Sequence, residues 1–358
     1  MKVALTGFAN AGKTTLFQAL VGAGHEGVRD LKGAKGRLGR MKVPDPRVDT
    51  LAEVFKPEKK TYATVDLVDT PSLDAEKGSL EENLRAMLSD VDLIAFVVQG
   101  FESGTAPSPF LSTDPARDIA KLRDELILGD MNLMERRFKR LEESLKKGKR
   151  DVEIEAEFVV VKRFKPVLDA GEYLFRHAIS PEEYRVLLNS QFLTLHPFLF
   201  VLNMGQERIA KGDYKDVAER TAAQKIPCIR LDAEIGKEIS ALDEAERAEF
   251  LSAYGLEEPE TETFVRACYQ FLDQITFYTV GEDDVRAWNI PRGTRAEVAA
   301  GRIHTDLQRG FIKAEIISYP EFMKVKSLAE AKKHGLLRLE SRDYVMQDGD
   351  IMTVKFAV

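Results

Sequence analysis

An α/β fold with a mostly parallel central sheet is predicted by three observations. Continuous apolar runs at residues 2–6, 61–68, 93–98, 198–202 and 226–231 alternate with helical patterns, as buried parallel strands covered on both faces do. A loop, Gly7-Phe8-Ala9-Asn10-Ala11-Gly12-Lys13-Thr14, joins the first run to a helical pattern beginning at Thr15. From residue 275 the texture changes to short β-like runs at 275–280, 312–318 and 351–356, which mark a separate small α+β module of ordinary domain size.

Composition bounds the rest. A chain of 358 residues is expected to hold two or three domains, each able to bury its own core. No apolar run approaches the roughly 20 residues of a membrane span, and no basic leader precedes the loop, so no membrane contact is expected. Two cysteines, Cys228 and Cys268, suggest a reducing compartment, by default the cytoplasm. The net charge of −7 is unevenly spread. Residues 232–262 carry eleven acids against Lys237 and Arg247, so the remainder has a small positive surplus. A local basic face acting on RNA is compatible with that distribution.

The first loop fits the pattern G-x-x-x-x-G-K-[ST] and lies between a strand and a helix, where the pattern has mechanical meaning. Backbone N–H groups at the helix start can wrap a polyphosphate, Lys13 can reach its β- and γ-phosphates, and the Thr14 hydroxyl can ligate Mg²⁺. Residues 25–40 are glycine-rich with five Lys or Arg and read as a mobile loop, placed where a nucleotide switch keeps its first sensing segment. Pro44-Asp45-Pro46 leads into an amphipathic helix with Val48, Leu51, Val54 and Phe55 on one face, ended by Lys56-Pro57. The strand at 61–68 delivers Asp69, placed to hold Mg²⁺ through water. Apolar positions Ile127, Met131, Met134, Phe138, Leu141 and Leu145 are spaced four and three apart, the pattern of a coiled-coil seam. A turn leads to a second helix with Ile154, Phe158, Val161, Phe164 and Leu168 on one face, so an antiparallel helical hairpin is predicted. Lys146, Lys147, Lys149 and Arg150 at its tip are either a solvated surface or a contact for RNA.

These stretches resemble the YchF/Obg-like ATPase family of translation-associated P-loop NTPases over nearly the whole chain. The resemblance rests on the phosphate loop with Asn10 in it and on Val43-Pro-Asp-Pro-Arg-Val-Asp with Lys56-Pro57. It rests further on DEAERAEFLSAYG at 243–255 and on the C-terminal stretch from Ala287-Trp288 to Val358. That stretch contains Gly301-Arg-Ile-His-Thr-Asp, Arg309-Gly-Phe-Ile-Lys-Ala-Glu and Asp343-Tyr-Val-Met-Gln-Asp-Gly-Asp, and is similar to the family's TGS module. The resemblance implies a G-protein-like P-loop NTPase domain at 1–115 and 197–274. It also implies an inserted helical domain at 116–196, a C-terminal β-grasp (TGS) domain at 275–358, and association with the ribosome or its RNA through the last two.

The chain departs from the family where hydrolysis is controlled. Residues 29–40 contain no Ser, Thr or Cys, so no side-chain hydroxyl there can ligate Mg²⁺. The second switch reads Asp69-Thr70-Pro71-Ser72, with Ser in place of the usual Gly; the apolar Leu73 that follows, where Ras-like enzymes place a water-orienting Gln, does match the family. The family's His after the third strand is missing from residues 100–115, and Ser108 falls near its place. At the base, Asn203-Met204-Gly205-Gln206-Glu207 stands where guanine-specific proteins have N-K-x-D. An amide at the Asp position offers one donor and one acceptor and suits the adenine edge, so ATP is expected over GTP.

The expected site is therefore Lys13 and Thr14 for catalysis, and Asn10, Ala11, Gly12, Lys13, Thr14, Thr15, Asn203, Met204 and Gln206 for the nucleotide. Thr14 and Asp69 are expected to hold Mg²⁺. Two functions remain open: a slow regulatory ATPase acting at the ribosome, and a nucleotide-binding interaction module with little or no hydrolysis. His304 is expected to make local hydrogen bonds in a turn. Trp288, among the basic residues Arg286, Arg292, Arg295, Arg302 and Arg309, either stacks on a base or lies in the core.

Overall fold

The computed structural model describes residues 1–22, 28–31, 36–74, 82–147, 151–256 and 258–357. Lys149 and Arg150 of the expected hairpin tip lie outside them, as do residues 25–27 and 32–35 of the expected switch loop. Contacts divide the chain into two compact units, Met1–Arg40 with Asp66–Thr263, and Met41–Val65 with Phe264–Val358.

The strands are β1 (Lys2–Thr6), β2 (Arg29–Asp30), β3 (Arg37–Lys42), β4 (Lys59–Thr61), β5 (Thr64–Asp69), β6 (Leu93–Gln99), β7 (Phe198–Asn203) and β8 (Cys228–Leu231), then β9 (Gln274–Val280), β10 (Asp284–Pro291), β11 (Phe311–Ser318), β12 (Arg338–Glu340) and β13 (Asp350–Phe356). The first unit is built on a seven-stranded sheet in the order β2-β3-β5-β1-β6-β7-β8. Strands β5, β1, β6, β7 and β8 run parallel, and all seven residues of β6 are buried. Continuous burial on both faces explains their unalternating apolar sequences. The chain passes from β1 to β5 on one side and to β6 on the other, which opens a crevice at the carboxyl ends of these strands.

Residues 25–40 are expected to form a loop without regular structure. Their described part instead contains an antiparallel pair, with Arg29 opposite Leu38 and Asp30 opposite Arg37. The side chain of Leu38 packs against the sheet core, which holds this edge strand in place despite its polar composition.

Helix α1 (Lys13–Val21) follows the phosphate loop, α2 is Pro46–Phe55, and α3 (Glu82–Leu88) follows the second switch. The long α4 (Pro115–Lys146) is capped by Asp114, whose carboxylate accepts from Arg117 N–H, and has Pro115 at its first position. Its first half covers the sheet through Ile119, Leu122 and Leu126. Its second half packs on α5 (Val152–Asp169), with Met134 and Leu141 against Val161, Phe164 and Leu168. Asp130, fully buried at the changeover, accepts from Arg85 of α3 and from the Thr194 N–H and hydroxyl. A buried carboxylate is tolerable there because charge and hydrogen bonds compensate it.

Helices α6 (Pro181–Asn189), α7 (Gln206–Lys211), α8 (Lys215–Ala223), α9 (Ala233–Ser240), α10 (Glu244–Tyr254) and α11 (Glu260–Phe271) follow. The acidic stretch forms caps as well as surface: Asp243 and Glu246 make a reciprocal capping box at α10, which ends at left-handed Gly255.

The second unit carries a six-stranded sheet in the order β12-β11-β13-β9-β10-β4. One face packs Phe277, Ile290, Ile316 and Met352 against Ala296, Ala299 and Ala300 of α12 (Ala296–Ile303). Met41–Val65 belongs to this unit, whereas the sequence bounds place all of 1–115 in the nucleotide domain. The reason is β4, which pairs parallel to β10 with Lys59 opposite Asp284, and a polar tether: Tyr278 OH donates to Asp45 and Arg47 pairs with both Asp45 and Asp348. Trp288 stacks on Phe277 at the core edge, and the Arg286 guanidinium lies 4.0 Å above its ring. His304 accepts from the Asp306 N–H and caps α13 (Thr305–Arg309), the local turn role expected of it.

Candidate functional site

At the carboxyl end of β1 the backbone turns back on itself to form the phosphate loop. Gly7 has φ 142° and Gly12 φ 86°, both in the region that L side chains rarely adopt. A Cβ on Gly7 would lie 2.3 Å from the Val97 carbonyl oxygen, and one on Gly12 would lie 2.0 Å from Asn203 Nδ2. Both glycines are therefore required by close approach of neighbouring strands. Asn10 adopts the left-handed region with φ 64°, and its amide donates to the Pro107 carbonyl, tying the loop tip to the segment after β6.

Lys13, the first residue of α1, is only 6% exposed. Its ammonium donates to the Phe8 carbonyl at 2.7 Å and to Ser72 Oγ at 3.0 Å, so it bridges the loop and the second switch. Burial pushes its pKa down to about 8, against the pull of Asp69. The ammonium stays largely protonated at neutral pH and is short of partners for its charge, a state that favours an incoming anion.

Thr14 and Asp69 meet in the same cavity, the hydroxyl donating to Asp69 Oδ2 at 3.2 Å. The other carboxylate oxygen, Oδ1, is buried and makes no hydrogen bond among the described residues. An orphaned carboxylate oxygen beside a hydroxyl fits Mg²⁺, which takes one or two protein oxygens together with phosphate oxygens and water. These two residues could hold the ion that the fold implies. Arg37, at the start of β3, lies between them: its Nη2 is 2.6 Å from Asp69 Oδ2 and 3.3 Å from Thr14 Oγ.

The cavity has a volume of about 950 Å³ and is lined by Asn10, Gly12, Lys13, Thr14, Thr15, Arg37, Asp69 and Ser72, with Phe101, Ser103 and Thr105 on the β6 side. It is roomy enough for a nucleotide, whose sites run to several hundred Å³. Leu73, by contrast, is buried in the sheet core and pairs by a backbone bridge with Phe8. Ser108 is also buried, its hydroxyl accepting from the Phe110 N–H within a turn. Neither presents a polar atom to the cavity lining.

Of the other expected residues, Ala11 is buried and offers its carbonyl to Asn203 Nδ2 at 3.0 Å. Asn203 Oδ1 accepts from Ala233 N–H at 3.0 Å, so this side chain ties the phosphate loop to the start of α9. Asn203 is thus a brace under the loop. The Met204 side chain is 1% exposed within the sheet core, and its N–H donates to the Leu231 carbonyl. Gln206 stands at the start of α7, with its backbone N–H given to Asp232 and its amide given to Glu260 Oε1 at 2.5 Å. Burial pushes the Glu260 carboxyl up to about 7.

Arg37 and Glu260 were not identifiable from the sequence. Arg37 sits in a stretch whose composition suggests only a loop, and Glu260 lies 54 residues from its partner Gln206 with no motif joining them.

Comparison with known proteins agrees with this architecture. Residues 2–131 match a family model described as 50S ribosome-binding GTPase. Residues 274–357 match the YchF GTPase C-terminal model, described as a protein of unknown function (DUF933). The chain is 36% identical to the ribosome-binding ATPase YchF of Pasteurella multocida, over 100% of this chain and 99% of that protein. It is 30% identical to the ribosome-binding ATPase YchF of Bacillus subtilis, over 99% and 98% respectively. The structure of the Schizosaccharomyces pombe YchF GTPase superimposes with a TM-score of 0.84 at 24% identity, covering 99% of this chain and 97% of that one, which is a likeness of fold. No helix among the described residues is long and apolar enough to cross a membrane. Full-length identity above 30%, with the phosphate loop and parallel sheet in place, establishes that the chain belongs to the YchF family of P-loop NTPases.

Proposed function

We propose that the chain is a slow, Mg²⁺-dependent NTPase that prefers ATP to GTP and uses its nucleotide state to modulate contact with the ribosome. The observation that carries this reading is the convergence of Lys13, Thr14 and Asp69 in one cavity beneath the phosphate loop. In it, backbone N–H groups from Gly12 to Thr15 receive the phosphates at the N-terminus of α1, and Lys13 exchanges Ser72 for the β- and γ-oxygens. Thr14 and Asp69 would hold Mg²⁺, which when bound would supply charge neutralisation at the phosphates. Slow turnover is supported by Leu73, which stands where Ras-like enzymes place a water-orienting Gln and is buried in the core.

Adenine preference is supported by Gln206. Its amide NH₂ is used by Glu260, which leaves the carbonyl oxygen to accept from adenine N6, whereas guanine offers another acceptor at that place. The α4–α5 pair serves as an inserted helical hairpin (116–196), and the six-stranded unit as a TGS-type β-grasp module. Each is a candidate contact for the ribosome, the partner named for the relatives in Pasteurella multocida and Bacillus subtilis, in the cytoplasm. The buried Leu73 and Ser108 favour one second reading, an occupancy switch without hydrolysis. Equilibrium titration with Mg·ATP and Mg·GTP in parallel tests the base preference. Tighter ATP binding is expected, and equal or tighter GTP binding overturns it.

A further inference from the structure

Residues 29–40 contain no hydroxyl to sense a terminal phosphate, yet they place one side chain at the centre of the cavity. The Arg37 guanidinium contacts both groups that the nucleotide reading assigns to Mg²⁺, Asp69 at 2.6 Å and Thr14 at 3.3 Å, and lies 5.3 Å over the Phe17 ring. Its backbone is held close to Asp69. The Gly36 carbonyl accepts from Leu31 N–H, and a Cβ on Gly36 would stand 3.0 Å from the Asp69 carbonyl oxygen. Asp30, the strand partner of Arg37, also lines the cavity.

A divalent cation held by Thr14 Oγ and the free Asp69 Oδ1 would lie directly beside a guanidinium held by Thr14 Oγ and Asp69 Oδ2, and like charges at that range repel. When those oxygens take a metal, Arg37 must let go of them while its strand remains anchored beside them. The anions left in the cavity are then Asp30, Glu234 and the phosphate oxygens of a bound nucleotide, and a planar guanidinium binds phosphate through paired N–H groups. Arg37 lines the same cavity as Lys13, which would reach the β- and γ-phosphates, so a guanidinium released from Asp69 and Thr14 stays within reach of the terminal phosphate.

The geometry points to Arg37 as the residue that reads the terminal phosphate: paired with Asp69 and Thr14 without nucleotide, and with the γ-phosphate once Mg·triphosphate is bound. This inference rests on the nucleotide reading of the cavity. It gives the segment without hydroxyls a sensing function through charge, and couples phosphate number to the position of β3.

The test compares the affinities of a non-hydrolysable ATP analogue and of ADP, both with Mg²⁺, for the wild type, Arg37→Ala and Arg37→Lys. Wild type should prefer the triphosphate. Arg37→Ala should lose that preference by roughly tenfold, the scale of one charge-assisted hydrogen bond, and Arg37→Lys should retain part of it. Hydrogen exchange at residues 37–42 should differ between the two ligands in wild type and not in Arg37→Ala. An unchanged affinity ratio in Arg37→Ala, or equal tightening of both ligands, overturns the sensing role and leaves the nucleotide site standing. Failure of the wild type to bind either ligand overturns both.

Discussion

Replacing Asn203 by Ala removes a side chain that joins the phosphate loop to the start of α9. Its amide nitrogen donates to the Ala11 carbonyl and its oxygen accepts from the Ala233 N–H, each at 3.0 Å. Both partners are buried, Ala11 at 2% and Ala233 at 1% exposure, so truncation strands one acceptor and one donor away from water. An unsatisfied buried group costs roughly 1–3 kcal/mol, which makes about 3–4 kcal/mol for the pair a reasonable expectation. Asn203→Asp separates the two bonds. It keeps the acceptor for Ala233 but turns a buried carboxylate toward the Ala11 carbonyl, so the folded state should raise its pKa. That variant should regain stability as pH falls, because a protonated carboxyl can again donate to Ala11. Urea unfolding followed by circular dichroism is the appropriate assay, since the only tryptophan, Trp288, belongs to the C-terminal unit. A loss below about 0.5 kcal/mol in Asn203→Ala, within the range of ordinary surface substitutions, would refute the bracing role.

Gly12→Ala combines a left-handed backbone with a contact 2.0 Å from Asn203 Nδ2, so it should abolish Mg·ATP binding in a direct titration and lower the melting temperature. Asp130→Ala leaves Arg85 and the Thr194 N–H without their shared buried partner, and should cost about 3–5 kcal/mol in urea unfolding. For Glu260, burial raises the folded value to about 7 from 4.5, so its contribution to stability is fully present below pH 4.5 and is lost as pH rises through 7. Relative to Glu260→Gln, wild type should lose up to about 3 kcal/mol across that window, and a parallel pair of stability–pH curves would contradict this.

What the sequence revealed and what it hid follow from the range of the interactions. The phosphate loop was legible because strand, glycines, Lys13 and Thr14 are contiguous and their conformations are local demands. Strand β6 was legible because burial on both faces writes an unbroken apolar run, 93–98 against the observed Leu93–Gln99. The β2–β3 pair was not, since most of its residues are polar or glycine and its few core ties, Leu38 and Met41, form no periodic pattern. The grouping of Met41–Val65 with the C-terminal unit left no trace in the sequence, because β4, Lys59–Thr61, has no apolar pattern, and its partner Asp284 is more than two hundred residues away. Arg37 and Glu260 escaped for the same reason: each acts through long-range ion pairs or hydrogen bonds that leave no periodic trace.

Single-turnover phosphate release from Mg·ATP, with and without ribosomes, in wild type and Lys13→Ala tests the account most directly. Slow release by wild type that Lys13→Ala abolishes is the predicted result. Release that persists in Lys13→Ala, or no release from wild type under either condition, would contradict a slow NTPase centred on Lys13.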